Sequence, residues 1–396
     1  MRIVALLSTL FITGFLSSSA LAEAGSLEAG IGKLIPTLDV QVYHDDNLFS
    51  TPDQETSSTV TSLAPSVEYY VEKDELNYIS VRYDGKYARY YDSRDDDYAD
   101  HTVFVAGAYS GTSMVRMAAD ASTARLHDDR GTGASEGAGA SLEGSPDEYD
   151  EKEAGVMIDV GRTEARFGMQ LSARTLDIDY TNNRDITVYR DREDLTLESK
   201  FFARVSGKTR LFAGYRVNDI EYDSLTAEGS TLDSDEKAVF VGVTWEATAK
   251  TSGSIEVGRE DKDFDSQLVS TGGQTIWDIG VKWKPLSYST LSLDSSSGAG
   301  ETNGTGDYIE QLTTTVSWDH TWSERLSSNV SVSIGEDEYV GDDRKDDRQE
   351  FVLGLNYEWQ RWATIGLEYV GSERDSNSSL FDYDRREFYL TLNLSL

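Results

Sequence analysis

The sequence predicts an all-β fold, a transmembrane antiparallel up-and-down β-barrel of about 18 strands (16–18) that follows a cleaved signal peptide. Apolar residues alternate with polar ones in short segments such as "FVLGLNYEW", residues 351–359. Aromatic residues stand at the ends of these apolar stripes, and short turns alternate with long polar loops along the chain. These three observations are typical of strands that face lipid on one side and water on the other.

The chain opens with a secretory leader. Arg2 precedes a short apolar stretch, residues 3–15, which serine, threonine and glycine interrupt. Ala20-Leu21-Ala22 then has the small-x-small pattern of a cleavage site. We therefore expect residues 1–22 to be a signal peptide and residues 23–396 to form one barrel domain, with residues 23–33 as a short periplasmic segment.

Strands can be counted from the same pattern. Roughly eight short turns alternate with about nine long loops, which gives about 18 strands with both termini on the short-turn side. A soluble β-sandwich or propeller would also alternate, but it would not need aromatic residues where the stripes end. The residues that fit an aromatic girdle are Tyr87, Trp245, Trp277, Trp283, Trp318, Trp359 and Tyr369.

Composition excludes several functions. The chain has no cysteine, so it has no disulfide framework, thiolate metal site or cysteine nucleophile. The formal net charge of -35 excludes nucleic acid as a partner, because binding to phosphates needs basic side chains. Most of the acid lies in the long loops, which lack the spacing of an EF-hand. We expect no cofactor and no dedicated metal site, only loose binding of divalent cations at these loops.

Catalytic motifs are unconvincing. "GASEG", residues 133–137, matches G-x-S-x-G but lies in a loop without the strand and helix that a nucleophile elbow needs. Asp100-His101 and Asp319-His320 are adjacent pairs, and adjacent residues of a strand point to opposite faces, so neither pair makes an oriented base. We therefore expect that the chain is not an enzyme.

The polar face of the predicted strands would line the lumen. In the first half, this face carries a basic wall: Arg82, Lys86, Arg116, Arg166, Arg174, Lys200, Arg204, Arg210 and Arg216. In the later half, it is acidic or small and polar: Glu246, Glu256, Asp278, Asp294, Asn329, Ser331, Ser333, Asn356 and Glu368. Either the two walls face each other across a water-filled pore and select solutes, or the charges pair and fill the barrel. The sequence leaves both open.

The segments "PTLDVQVYHDDNLFST" and "YDGKYARYYDSRDDDYADH" carry a resemblance to a known family. The matching residues are Asp45, Asp46, Asn47, Tyr83, Arg89, Tyr90, Asp96, Asp97, Tyr98, Asp100 and His101. This first part of the mature chain resembles a family of outer-membrane β-barrels, the EpsL-type or "putative β-barrel porin" group, whose members are found with capsule and exopolysaccharide operons. The resemblance implies export of a polysaccharide, or a porin-like role beside such export, and supplies no catalytic residues.

We therefore expect a monomer in the outer membrane of a Gram-negative bacterium. The leading hypothesis is a barrel that takes part in export of an extracellular or capsular polysaccharide through a passive polar pore. The alternatives are a general or solute-specific diffusion porin and a structural or adhesive surface barrel. The expected partners are outer-membrane lipid, lipopolysaccharide, the polysaccharide and periplasmic export components.

Overall fold

The computed structural model describes residues 25–74, 76–112, 114–137, 140, 144–161, 165–226, 229–248, 250–269 and 271–395. The expected signal peptide, residues 1–22, lies outside the described residues, and its cleavage stays a prediction. Within this part of the chain, the structure has no helix that is both long and apolar enough to cross a bilayer.

Nineteen strands account for most of the described chain. They are β1 (Leu27–Ala29), β2 (Gly32–Asp45), β3 (Ser58–Asp74), β4 (Asn77–Tyr90), β5 (Tyr98–Tyr109), β6 (Val115–His127), β7 (Glu148–Val160), β8 (Phe167–Tyr180), β9 (Arg192–Ser206), β10 (Thr209–Tyr222), β11 (Ser234–Thr248), β12 (Thr251–Phe264), β13 (Gly272–Leu286), β14 (Ser289–Glu301), β15 (Tyr308–Thr321), β16 (Leu326–Val340), β17 (Lys345–Gln360), β18 (Ala363–Ser376) and β19 (Tyr383–Ser395). Helical turns described between them are α1 (Arg184–Thr187) and the 3-10 turns Arg94–Asp96, Gly133–Ser135 and Val188–Arg190.

The 18 strands from β2 to β19 form one closed ring. Each strand pairs antiparallel with the next, and β19 returns to pair with β2, with Leu390 opposite Val42 and Ser395 opposite Thr37. Closure pairs the backbone groups that an open edge would leave unsatisfied in lipid. The predicted antiparallel barrel of 18 strands is confirmed.

The short strand β1 extends the wall of this ring. It pairs with residues 32–34 of β2, on the same edge of β2 that pairs with β19 along residues 37–45. Lys33 shows the arrangement, because it lies opposite Glu28 of β1 on this edge and opposite Tyr70 of β3 on the other. The segment expected to be periplasmic, residues 23–33, thus includes a hairpin that is joined to the barrel.

The strand register sorts the side chains into an outer and an inner face. Along β4, the side chain of Ile79 is 58% exposed and that of the next residue, Ser80, is 5% exposed. Across neighbouring strands, Val281, Leu293 and Val316 lie side by side in one apolar row. The apolar stripes therefore form a continuous outer belt, and the polar positions between them face the lumen.

Several strands extend beyond this belt. The strands of the ring have 12 to 17 residues, although about 9–11 residues suffice to cross a bilayer. Residues 335–348, which the sequence pattern assigns to a loop, are mostly paired: residues 335–340 end β16, residues 345–348 begin β17 with Glu338 opposite Lys345, and residues 341–344 connect them. That expectation was wrong, because beyond the bilayer both faces of a strand meet water. A strand there needs no alternation of apolar and polar residues, so the sequence does not reveal it.

The two ends of the barrel differ in their connections. Short turns lie at one end, such as residues 207–208 between β9 and β10, and longer connections lie at the other, such as residues 128–147 between β6 and β7. We name them the turn end and the loop end. In outer-membrane barrels, short turns are periplasmic and longer loops are extracellular.

The two faces predict opposite results for neighbouring residues. Leu355 is 43% exposed on the outer face, and the next residue, Asn356, occupies one of the alternate positions that face the lumen, which we call the inward parity. We expect Leu355→Arg to block assembly and Asn356→Arg to be tolerated, because an arginine facing lipid near the midplane costs about 2–4 kcal/mol. The folded fraction in outer membranes, measured from the heat-dependent migration of the barrel on a gel, checks this. Equal folded fractions for both variants would contradict the register.

Candidate functional site at the mouth of the barrel

Most of the predicted basic wall lies on the inner face. Arg82 and Lys86 alternate with the outward side chains of β4. The register of the following strands gives the same inward parity to Arg116, Arg174, Lys200, Arg210 and Arg216. These cations occupy one sector of the lumen, which runs from β4 to β10.

Carboxylates one or two strands away neutralise the first part of this wall. Arg116 Nη2 lies 2.9 Å from Asp159 Oδ2. Arg174 binds both Asp120, with Nη1 and Oδ2 3.2 Å apart, and Glu153. Each guanidinium is therefore paired with carboxylates of other strands and does not face the lumen without a counter-charge.

The second part of the wall is paired in the same way. Lys200 Nζ lies 3.2 Å from Glu198 Oε1 and 3.3 Å from Glu256 Oε2. Arg216 Nη2 lies 3.3 Å from Glu260 Oε2, and its Nη1 lies 3.7 Å from Glu198 Oε2. Arg116, Arg174, Lys200 and Arg216 therefore form a ladder of ion pairs that links strands, whereas the Arg210 guanidinium lies 5.1 Å from the ring centroid of Phe202.

Two residues assigned to the wall lie at the turn end. Arg166 is exposed just before β8 begins, and its guanidinium lies 5.6 Å from the ring centroid of the outward Phe167. Arg204 lies near the end of β9, where its Nη1 donates to the carbonyl of Gly207 in the turn, at 3.2 Å. Arg166 is therefore not part of the lumen wall, because the chain has left the strand there, and Arg204 belongs to the rim.

A different sector of the lumen is acidic and then neutral. Glu256 lies directly opposite Asp278 on the neighbouring strand, and Asp294 lies one strand further. Glu246, which was expected in this group, is exposed at the turn end instead. Hydroxyl and amide side chains follow on the inward positions of β14–β17: Ser296, Thr313, Thr315, Asn329, Ser331, Ser333 and Asn356.

Three phenylalanines on the inner face were not predicted. Phe212 and Phe240 are 7% and 1% exposed and pack with Phe202. Lys200 Nζ lies 5.1 Å from the ring centroid of Phe240, within range of a cation–π interaction. Phe240 also covers Gly214, where a Cβ would come within 2.3 Å of the ring, so only glycine fits. The three rings therefore form an apolar cluster that Lys200 contacts.

A loop crosses the loop end of the barrel. Residues 128–147, which join β6 to β7, are named here the mouth loop. Its described residues contact the ends of β2–β5, the connection between β8 and β9, and the sector from β14 to β19. β18 lies six strands from β6 around the ring, so these contacts lie on well-separated sides of the lumen. The loop spans the opening, although its sequence suggested a solvated surface loop.

The first set of contacts, the near anchor, is made by Arg130 and Ala140. Arg130 Nε lies 2.8 Å from Asp96 Oδ1, and these side chains are 4% and 2% exposed. The Arg130 guanidinium also lies 4.8 Å from the ring centroid of Phe49. Ala140 is 1% exposed in an apolar cluster with Phe49 and Tyr90. On this side of the lumen, the mouth loop is thus fixed by a buried ion pair near its start and by the apolar packing of Ala140.

Several residues of the sequence motif support the near anchor. The carboxylate of Asp97 accepts a hydrogen bond from the backbone N–H of Tyr90 at 2.7 Å. Tyr98 stacks on His127, with ring centroids 3.5 Å apart, and His127 Nδ1 lies 2.8 Å from Asp100 Oδ1. Because His127 is the last residue before the mouth loop, these motif residues set the point at which the loop leaves the wall.

The remaining motif residues are divided between the two faces. Asp45 and Asn47 are fully buried, and Asp45 Oδ2 lies 2.7 Å from Arg385 Nη2 of β19. Asp46, Tyr83, Arg89 and His101 have the outward parity, and the Tyr83 hydroxyl lies 2.9 Å from His101 Nδ1. The motif therefore does not gather into one site. Its inner half supports the closing strands and the mouth loop.

The second set of contacts, the side anchor, joins the mouth loop to the connection between β8 and β9. Arg190 Nη1 lies 2.6 Å from Asp128 Oδ2, which also accepts a hydrogen bond from the Tyr180 hydroxyl at 3.0 Å. At the other end of the loop, Asn183 Nδ2 donates to Asp147 Oδ1 at 2.7 Å. Both ends of the mouth loop are thereby fixed to the same neighbour.

The third set of contacts, the far anchor, is made by Glu136. Its carboxylate binds Arg344 and Arg374, with Arg374 Nη1 2.8 Å from Oε2, and accepts a hydrogen bond from Asn303 Nδ2 at 2.7 Å. Arg344 also donates from Nε to Asp346 Oδ1 at 3.0 Å. The side chains of both arginines and both carboxylates are at most 8% exposed. A buried ionic cluster therefore holds the middle of the mouth loop on the far side of the lumen.

Aromatic rings enclose this cluster. The Arg344 guanidinium lies 3.6 Å from the ring centroid of Phe381 and 4.1 Å from that of Tyr339. Burial alone would lower the pKa of Arg344, but its two carboxylate partners raise this pKa above the ordinary value. The guanidinium is therefore charged at any physiological pH, and the cluster is an ionic one.

Sequence reasoning missed the far anchor, although a weak signal exists. Glu136 is the one charged residue of "GTGASEGAGASL", residues 131–142, and Arg344 interrupts the acidic run "GDDRKDD". An isolated charge in contrasting surroundings is a candidate for a specific partner, but the partner itself depends on the folding of the loop. In the same segment, the Ser135 hydroxyl of "GASEG" donates to Asp147 Oδ2 at 3.0 Å, which is a structural bond within the loop.

Three carboxylates of the described residues come close enough together to hold a cation. Oxygen atoms of Asp179, Asp191 and Asp223 lie within 4.8 Å of one another at the loop end. Asp191 already accepts a hydrogen bond from Arg184 Nη1 at 2.8 Å. We assign no metal to this group, and loose binding of divalent cations to the acidic loop end stays a prediction.

Comparison with known protein families decides what kind of barrel this is. The family described as "Putative beta-barrel porin 2" matches residues 27–396. The chain belongs to this family. It is thus a porin-like barrel of the outer membrane of a Gram-negative bacterium.

Solved structures share the fold at low sequence identity. OpdO of Pseudomonas aeruginosa is 13% identical, with 92% of this chain and 97% of that chain covered, at a TM-score of 0.50. OccAB3 of Acinetobacter baumannii is 12% identical, with 92% and 99% covered, at a TM-score of 0.49. The copper transporter OprC is 9% identical, with 93% and 82% covered, at a TM-score of 0.48. At these identities the likeness concerns the fold alone, and no curated protein matches the chain.

The near anchor can be tested with two adjacent aspartates. Asp96 pairs with Arg130 and is buried, whereas Asp95 is exposed. We expect Asp96→Ala to free the mouth loop, because removing one partner of a buried ion pair costs about 3–5 kcal/mol. Trypsin should then cut after Arg130, which is 6% exposed in the folded protein. Asp95→Ala is the control, and equal protection of Arg130 in both variants would show that the pair does not hold the loop.

Proposed function

We propose that this protein is a diffusion channel for small polar solutes, whose opening the mouth loop narrows. The observation that carries the proposal is the mouth loop itself, which three anchors hold across the loop end above a polar lumen with sorted charges. Such a channel is passive: side chains of the lumen replace water around a solute, and the ion-pair ladder keeps the wall charged and ordered. Membership of a porin family supports the same conclusion.

The mouth loop also weighs against the polysaccharide-export hypothesis. A polymer strand leaving the cell would have to pass the place where the loop is anchored on both sides of the lumen. Moving the loop away breaks two buried ion-pair sites, Arg130 with Asp96 and Glu136 with its arginines. Neither the family match nor the similar solved structures support export of a polysaccharide. We therefore rank it below a diffusion channel.

Charge in the lumen should favour cations. Four of the wall cations, Arg116, Arg174, Lys200 and Arg216, are paired with carboxylates of the wall. Asp278 and Asp294 lie outside this ladder of pairs, on β13 and β14. A solute cation that passes this sector therefore meets negative charge that the wall has not neutralised, which favours its passage.

Conductance tests the role of the mouth loop. We expect replacement of residues 131–142 by a short Gly-Ser link to raise the single-channel conductance in planar bilayers several-fold, because the far anchor is then lost. Removal of residues 53–55, exposed residues of another connection at the same end, is the control and should leave the conductance unchanged. Absence of current from both the wild type and the shortened protein would refute the channel and favour a structural barrel.

Ion selectivity tests the two sectors of the lumen. Neutralising the acidic sector with Glu256→Gln, Asp278→Asn and Asp294→Asn should move the reversal potential in a salt gradient toward anion preference. Neutralising the basic sector with Arg174→Gln, Lys200→Gln and Arg216→Gln should move it toward cation preference, because their carboxylate partners lose their counter-charges. Both triple variants are compared in the loop-shortened protein after a check of folding by gel migration. A reversal potential that neither variant changes would show that these sectors do not line the path.

A further inference from the structure

The Glu136 carboxylate is bound in the way that a ligand would be. Its three donors come from three other segments: Arg344 from the connection after β16, Arg374 from β18, and Asn303 from the connection after β14. None of these donors belongs to the mouth loop. The donor set is therefore a complete carboxylate site on the barrel, and it does not depend on the loop for its construction.

The donor set also offers more than Glu136 uses. Arg374 is 8% exposed, its Nε donates to the carbonyl of Phe381 at 2.6 Å, and its Nη1 binds Glu136. Its Nη2 is buried, and among the described residues it has no hydrogen-bond acceptor. A guanidinium binds carboxylates best through two parallel N–H groups. A carboxylate that is free to orient can therefore engage Arg374 more fully than the tethered Glu136 does.

The loop that carries Glu136 is costly to order. Gly131, Gly133 and Gly137 all have positive φ angles, of 74°, 62° and 76°. Glycines lose more conformational freedom on ordering than other residues do, so the contacts of Glu136 must offset a substantial entropy. A ligand that competes with Glu136 for the two arginines binds the form of the protein in which the mouth loop is released. It therefore shifts the equilibrium between the held and the released loop toward the released one.

We propose that the far anchor is a binding site for small carboxylates, that Glu136 occupies it from within, and that a carboxylate solute arriving from the loop end displaces Glu136 and releases the mouth loop. The ligand class follows from the donors: two guanidiniums and an amide around one carboxylate, with Phe381 and Tyr339 beside Arg344. An uncharged amide of the same shape lacks the charge to compete. The inference deepens the proposed channel and rests on it only for the effect of loop release on the opening; the carboxylate acts as a ligand at the loop end and does not have to cross the lumen.

Loop release can be measured without a current. The chain has no cysteine, so Ser135→Cys gives one reporter next to Glu136, at a position that is 8% exposed. We expect propionate, which copies the end of the glutamate side chain, to speed maleimide labelling of the purified full-length protein in a dose-dependent way. Propionamide at matched ionic strength is the control and should have no effect. Glu136→Gln should raise the labelling rate without any ligand. Equal effects of propionate and propionamide would overturn the proposal.

Direct binding is measured without the reporter. Glu136→Gln should bind carbon-13 propionate more tightly than the wild type in an NMR titration, because the internal competitor no longer reduces the fraction of open sites. Adding Arg374→Gln to this variant should abolish the binding. Equal affinities for the wild type and Glu136→Gln, or binding that survives the loss of Arg374, would refute the site.

The failures of the two proposals are distinguishable. If propionate binds and releases the loop but no protein conducts, the carboxylate site stands and the channel falls. If shortening the mouth loop raises the conductance but propionate neither binds nor speeds labelling, the channel stands and the carboxylate site falls.

Discussion

The hydrogen bonds between β19 and β2 are the interaction on which the rest of the structure depends. They pair Glu387–Ser395 with the strand that begins the ring and leave no open edge between these two strands in lipid. This pairing also fixes which side chains of β19 face the lumen, because a slip of one residue would turn Leu390 into the lumen and Tyr389 toward lipid. The sorting of charge inside the barrel is thus a consequence of the ring.

A ring of 18 strands encloses a wide lumen, and this protein organises it in two ways. Along the wall, ion pairs between adjacent strands, such as Arg116 with Asp159, keep charged side chains partnered away from bulk water. Phe240 fills the space over Gly214 and supports Lys200. Across the opening, the mouth loop extends into the space that the strands enclose. The wall is therefore ordered by local contacts, and the mouth loop is held by contacts with distant parts of the chain.

The three anchors of the mouth loop differ in physical character. The near anchor combines a buried ion pair with apolar packing, and the side anchor uses bonds from residues at the start and end of the loop. The far anchor holds the loop through one carboxylate, Glu136, between Arg344 and Arg374. Buried charges bind strongly only while all partners are present, since a missing partner leaves an uncompensated charge. The far anchor is therefore the contact that a competing ion can replace.

The sequence by itself determined the barrel, its strand number and the direction of most side chains, because alternation is a local property that lipid and water impose on each strand. It placed Arg174 and Arg216 inside correctly, but it could not show that Glu153 and Glu260 neutralise them, because that depends on which strands are neighbours and in what register. It misplaced Arg166, where a strand begins one residue later than its pattern suggests. Only the tertiary structure decided the path of residues 128–137, since a Gly-rich loop has no periodicity and the partners of Glu136, Arg344 and Arg374, are more than 200 residues away in the chain.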